Sequence, residues 1–146
     1  MGKFVFELEA REDIQLLSFK YPIELTTLRE LFRQLAADDD LFNKIWEDGY
    51  GEFRNPEDKV NVLKWRKAHE EGGRGLWRLK SLELERNEKL FRVFYCMHDG
   101  NAEIARVLAV IQIDKEDKSE FDYDNLKSPV ADRLLRAYDR VCNPQR

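Results

Sequence analysis

The chain has 146 residues, 42% of them hydrophobic and 37% charged, a balance that fits one folded domain with a real core and excludes an intrinsically disordered segment. Its formal net charge of −4 argues against a general nucleic-acid binder. No apolar run approaches the ~20 residues that span a bilayer, so no membrane association is expected.

Further exclusions follow from motifs. The N-terminus, Met1 to Glu7, turns acidic too soon for a signal peptide, and the residues after Gly2 lack the myristoylation pattern. Cys96 and Cys142 have no CxxC partner and no local histidine grouping. No metal site and no cofactor are expected, and the pair reads as two buried thiols of a cytoplasmic protein. No Ser-His-Asp pattern, Walker loop, GxGxxG or HExxH is present, so nucleotide hydrolysis and metalloprotease chemistry have no support.

Charge is unevenly spread. Residues 1–58 carry 7 basic and 14 acidic side chains, residues 59–95 carry 10 and 5, and residues 96–146 carry 8 and 10. A local basic face on an acidic body permits a focused RNA contact, and equally the docking of an acidic protein.

Taken along the chain, Lys3 to Glu9 alternates as a first strand, with Phe4, Phe6 and Leu8 on one face. Leu16 to Phe19 is a short apolar stretch interrupted at Tyr21-Pro22. Thr27 and Glu30 have capping-box spacing, which predicts a helix from about Leu28 to Ala37. Asp38-Asp39-Asp40 caps a second helix bearing Leu41, Phe42, Ile45 and Trp46. Gly49 to Pro56 is a turn-rich break. Val60 to Glu71, with Lys64, Arg66, Lys67 and His69, reads as a short basic helix or exposed arm. Gly72 to Gly75, including Arg74, is a flexible connection.

Leu76 to Leu82 and Phe91 to Tyr95 alternate as two strands of a hairpin around the polar break Glu85 to Glu88. This hairpin is expected to offer Arg78, Lys80 and Arg92 at its surface, where cations on rigid strands suit a phosphate backbone. The bland alternatives are a solvated outer face for Arg78 and Lys80, and for Arg92 either projection to solvent or pairing with Glu83 or Glu85. A turn at Asp99-Gly100-Asn101 leads to Ile104 to Ile113, nearly continuous in apolar residues, as in a strand covered on both faces. Lys115 to Tyr123 is a charged loop. Ser128-Pro129 opens a last helix lined by Leu134, Leu135, Tyr138 and Val141. His98 reads as a turn residue. His69 reaches a substrate only if the basic arm folds over the sheet. Trp46 and Trp77 read as core, and Trp65 as core or a stacking platform.

The predicted fold class is α+β, with a small, mainly antiparallel sheet, N-terminal helices and a C-terminal helix packed on it. Residues 1–146 form a single domain, with a strand and helices over 1–58 and the basic arm, sheet and last helix over 59–146.

From Leu76 on, the chain resembles the RelE/HigB/ParE-like toxins of bacterial toxin–antitoxin pairs. The matching pieces are Leu76-Trp77-Arg78-Leu79-Lys80, Phe91-Arg92-Val93-Phe94-Tyr95, Val107 to Ile113, and Asp114 to Ser119. The resemblance covers roughly residues 74–142, about half the chain. It implies a RelE-like fold and a metal-independent mRNA endoribonuclease, often acting on the ribosome and silenced by a cognate antitoxin. In such enzymes the RNA 2′-hydroxyl attacks the adjacent phosphate. By position, Arg78, Lys80 and Arg92 become phosphate clamps. Lys115 and Lys118 sit at the mouth of the site, and Tyr123 stacks on a base or acts as general acid. Lys64, Arg66, Lys67, Arg74 and Lys118 become RNA-binding residues. ParE-like relatives keep the fold and poison DNA gyrase instead, and the acidic N-terminal half keeps open a non-enzymatic protein-binding role of that kind.

Overall fold

A computed structural model describes residues 2–113 and 128–141. The expected sites Lys115, Lys118 and Tyr123, and the loop that carries them, lie outside the described residues, as does Cys142.

The chain is α+β. A five-stranded mixed sheet has the order β1-β5-β4-β3-β2, built from β1 (Lys3–Phe6), β2 (Val60–Lys64), β3 (Trp77–Ser81), β4 (Leu90–His98) and β5 (Asn101–Ile113). Among the described residues, β1–β5 is the parallel pairing and the other three are antiparallel. The helices are α1 (Leu8–Lys20), α2 (Pro22–Ala37), α3 (Asp39–Lys44), α4 (Arg66–Gly72), α5 (Leu82–Arg86) and α6 (Pro129–Val141).

Strand alternation sorts the core into two layers. Phe91, Val93 and Tyr95 of β4 point to a layer filled by Ala10, Leu25, Leu28, Phe32, Leu35, Phe42 and Ile45 of the N-terminal helices and the turn after α3. Phe94 and Cys96 point the other way, to Trp65, Ala68 of α4 and Ala131, Leu134 and Ala137 of α6. In β5 the register slips by one residue opposite Phe94 and Tyr95, whose partners are Ala109 and Val107. This bulge turns both Leu108 and Ala109 into the second layer, while Val107 and Val110 stay in the first. A strand covered on both faces is what the unbroken apolar run in β5 encodes.

Several elements differ from expectation for local reasons. The strand Lys3 to Glu9 stops at Phe6, and α1 begins at Leu8. The stretch Leu16–Phe19 is the end of this 13-residue helix. Its apolar residues lie on several faces, with Ala10 buried and Leu8, Leu16 and Phe19 exposed, so no single stripe marks it. Pro22, an interruption in the sequence, occupies the first turn of α2, where its missing N–H costs nothing. Thr27 therefore sits inside the helix, its hydroxyl donating to the Ile23 carbonyl. Val60–Lys64 is not a helix or arm but an edge strand, with Val60 and Val62 buried. The break between β3 and β4 is helical: Ser81 Oγ accepts from Leu84 N, and Leu82 and Leu84 are buried.

Other signals are found as read. Asp38 Oδ1 accepts from Asp40 N and Leu41 N to cap α3. Ser128 Oγ accepts from Ala131 N, with Pro129 opening α6. Trp46 and Trp77 meet edge to face at 5.8 Å, and Trp46 Nε1 donates to the Ala102 carbonyl. Trp65 is buried in the second layer, which removes it as a stacking platform. Among the described residues, no helix is long and apolar enough to cross a membrane. Cys96 is disulfide-bonded, which corrects the expectation of two buried thiols.

Candidate functional site

The three strand cations converge on one face. Directly opposed residues of an antiparallel pair point to the same side of the sheet. Asn61 opposes Lys80, Leu63 opposes Arg78, Arg78 opposes Phe94, and Arg92 opposes Ile111. Asn61, Arg78, Lys80 and Arg92 thus share the face that Phe94 and α6 cover further along. The periodicity of Trp77–Ser81 and Leu90–His98 accounts for this: odd positions fill the N-terminal layer and even positions fall opposite.

These cations are not displayed at the surface as expected. Arg78 is 3% exposed and Arg92 8% exposed. The cause is that both faces of the central strands are covered, so an inward position stays inward whatever its side chain. Arg92 Nη1 donates to Glu85 Oε1 at 2.7 Å and to the Phe91 carbonyl at 3.0 Å. Of the two readings left open, pairing with Glu85 is found. Arg78 Nη2 donates to Asn61 Oδ1 at 2.8 Å. Lys80 Nζ lies 3.9 Å from the same Glu85 oxygen.

Among the described residues, Glu85 is the carboxylate that pairs with Arg92 and Lys80, while Arg78 bonds to Asn61. The pKa of Lys80 is lowered to about 8. Burial is the main cause, followed by the charges of Arg78 and Arg92, with Glu85 opposing and Arg54 adding a little. A lysine poised near neutrality beside two guanidiniums is able to accept an anion and to give or take a proton.

The other expected residues are scattered. Lys64 falls on the opposite face of β2 by alternation, and its N–H donates to Asp48 Oδ1. Arg66 pairs with Asp48 at 2.6 Å. Lys67 is exposed on α4. Arg74 is bound through two hydrogen bonds to Asp139, fastening α6. The basic arm is therefore an edge strand and a helix packed into the second layer. His69 Nε2 lies 3.1 Å from the Leu76 carbonyl and stacks edge-on to Trp77. His98 takes a hydrogen bond from Arg106 Nε.

Asn61 and Arg54 belong to the site without having been singled out. Asn61 becomes visible only once Val60–Lys64 is recognised as the strand beside Lys80. Among the described residues, no group of three His, Cys, Asp or Glu side chains is placed to hold a metal ion. No family model, curated protein or solved structure matches the chain.

Proposed function

We propose that the chain is a toxin of a toxin–antitoxin pair acting as a metal-independent mRNA endoribonuclease. The observation that carries this reading is the convergence of Arg78, Lys80 and Arg92 on one sheet face, with Lys80 poised near neutrality. The ordered sequence pieces of the resemblance support it: the basic piece lies on β3, the aromatic-Arg-Val-aromatic-Tyr piece on β4, and the apolar piece on β5, paired in that order.

In this reading the 2′-hydroxyl gives its proton to water and its oxygen attacks the adjacent phosphorus as the bond to the 5′-oxygen breaks. The products are a 2′,3′-cyclic phosphate and a free 5′-hydroxyl. Arg78 and Arg92 stabilise the charge growing on the phosphate oxygens, and Lys80 gives a proton to the departing 5′-oxygen. A substrate phosphate would compete with Glu85 and Asn61 for the guanidiniums. Partners are the mRNA, the ribosome where cleavage occurs on it, and a cognate antitoxin. An mRNA target puts the action in the cytoplasm, where a disulfide such as that of Cys96 is uncommon.

The test is inducible expression with growth and mRNA integrity followed together. Growth arrest with RNA fragments ending in cyclic phosphate, abolished in Lys80→Met, is the expected result. Fragmentation that persists in Lys80→Met removes Lys80 from the chemistry.

The burial of Arg78 and Arg92 favours a second reading, a protein-binding module such as a gyrase inhibitor, in which the cluster is structural. Arrest with intact mRNA, retained in Lys80→Met, supports it.

A further inference from the structure

The loop between α3 and β2 carries an aromatic side chain that the core does not use. Phe53 is 85% exposed, although the loop around it is firmly built. Gly49 N donates to the Val62 carbonyl at 2.8 Å, and Val62 N donates to the Tyr50 carbonyl at 2.9 Å, so the loop pairs with the outer edge of β2. At Gly51, with φ of +76°, a Cβ would stand 2.0 Å from the Val60 carbonyl oxygen, so only glycine allows this approach. Arg54 follows with φ of +52° and donates its N–H to the Gly51 carbonyl. Asn55 N donates to Asp58 Oδ2, and Asp58 N returns a bond to the Asn55 carbonyl.

One side chain ties this loop to the cation cluster. Asn61 Nδ2 donates to the Tyr50 carbonyl at 3.0 Å, while its Oδ1 accepts from Arg78. Arg54 is exposed and forms no ion pair with any described residue. It lies near enough to Lys80 for its charge to be felt there. Leu63, opposite Arg78 on the same sheet face, is also partly exposed at 38%. An exposed aromatic on a rigid loop, next to an unpaired guanidinium and beside a cation cluster, matches an anionic polymer that also carries flat apolar faces. Single-stranded RNA has both.

We propose that Phe53 is a nucleobase-stacking residue and Arg54 its phosphate contact, which together hold single-stranded RNA across the edge of the Arg78–Lys80–Arg92 cluster. The inference rests on reading that cluster as an RNA site. A single exposed aromatic is ordinary on a protein surface; its fixed loop and its link through Asn61 to Arg78 set this one apart. Stacking on an aromatic platform contributes about 1–3 kcal/mol per base, which corresponds to a loss of roughly 5- to 150-fold in affinity when the ring is removed.

The experiment is fluorescence anisotropy of a labelled single-stranded RNA oligonucleotide with the full chain, Phe53→Ala and Phe53→Trp. Because Phe53 is exposed, both variants fold, and circular dichroism confirms it. The expected result is RNA binding by the parent, a loss of about tenfold in Phe53→Ala and retention in Phe53→Trp. Inorganic polyphosphate, which has charge without bases, is expected to compete equally well in parent and Phe53→Ala. Equal RNA affinity in parent and Phe53→Ala overturns the stacking role and leaves the RNA site standing. A folded parent that binds no RNA overturns both.

Discussion

Glu85 joins two of the strand cations, Arg92 and Lys80, from a buried position. Its side chain is 5% exposed, and one oxygen serves both Arg92 and Lys80. Glu85→Ala removes the buried carboxylate that Arg92 and Lys80 share, and breaking a buried pair from one side costs about 3–5 kcal/mol. Urea unfolding is the measurement, and a loss below about 1 kcal/mol would place the pair in the weak class of solvated surface bridges. Lys80 carries the opposite strain. Its folded pKa, about 8, lies below the 10.5 of an unperturbed lysine. The unfolded chain therefore binds more protons than the folded one between these values, and this group makes stability rise as pH rises through that window. Below pH 8 the full cost of holding the charged lysine is present. Lys80→Met is expected to flatten the pH dependence of Tm between pH 8 and 10 and to raise Tm near pH 7. A Tm profile unchanged from the parent would mean that Lys80 titrates as a solvated lysine. What sequence could tell about these residues was position only: alternation put Arg78 and Lys80 on one face. It did not tell that Arg78 and Arg92 are buried on that face.

At the scale of elements, legibility followed the regularity of the pattern. β3, β4 and β5 announce themselves because Leu76 to Leu82, Phe91 to Tyr95 and Ile104 to Ile113 keep strand periodicity with aromatic and β-branched residues. α6 announces itself through Ser128-Pro129. α1 does not, since Leu8, Leu16 and Phe19 face solvent while Ala10 faces the core. β2 is hidden because Lys64, Arg66 and Lys67 crowd the strand and the following helix into one apparently basic arm, although Val60 and Val62 already carry the strand period. The loop before β2 is equally opaque, its shape depending on long-range bonds to Val62 and Asn61. Gly51 tests this dependence. Gly51→Ala meets a backbone oxygen that cannot move aside, and it also takes a side chain to positive φ. A destabilisation of more than about 1 kcal/mol is expected, with loss of hydrogen-exchange protection at Val62 N, which bonds to this loop. Unchanged protection at Val62 would show that the loop is not what covers the sheet edge.

The whole molecule joins two layers through one sheet, and its covalent link belongs to the second. Cys96, 1% exposed on β4, lies among Trp65, Leu76, Leu108 and the α6 residues Ala131, Leu134 and Ala137. The first layer has the larger set of helices and aromatic contacts, with Phe4, Phe6, Phe32 and Phe42 packed at 4.9–5.2 Å across β1, α2 and α3. The second layer is held by short alanine-rich contacts of α6 and by ion pairs at its ends, Arg74 to Asp139 and Arg133 to Asp13. A disulfide at Cys96 therefore reinforces the thinner side. Alkylation of the denatured chain without reductant is expected to label no thiol, whereas prior reduction exposes both cysteines of the sequence. Reduction of the folded protein is expected to lower its stability by about 2–4 kcal/mol. Hydrogen exchange should then rise first in α6 and only later in α2, because the N-terminal layer keeps its packing. Labelling of two thiols without reductant would return Cys96 to the role of a buried hydrophobe and leave the second layer to noncovalent packing alone.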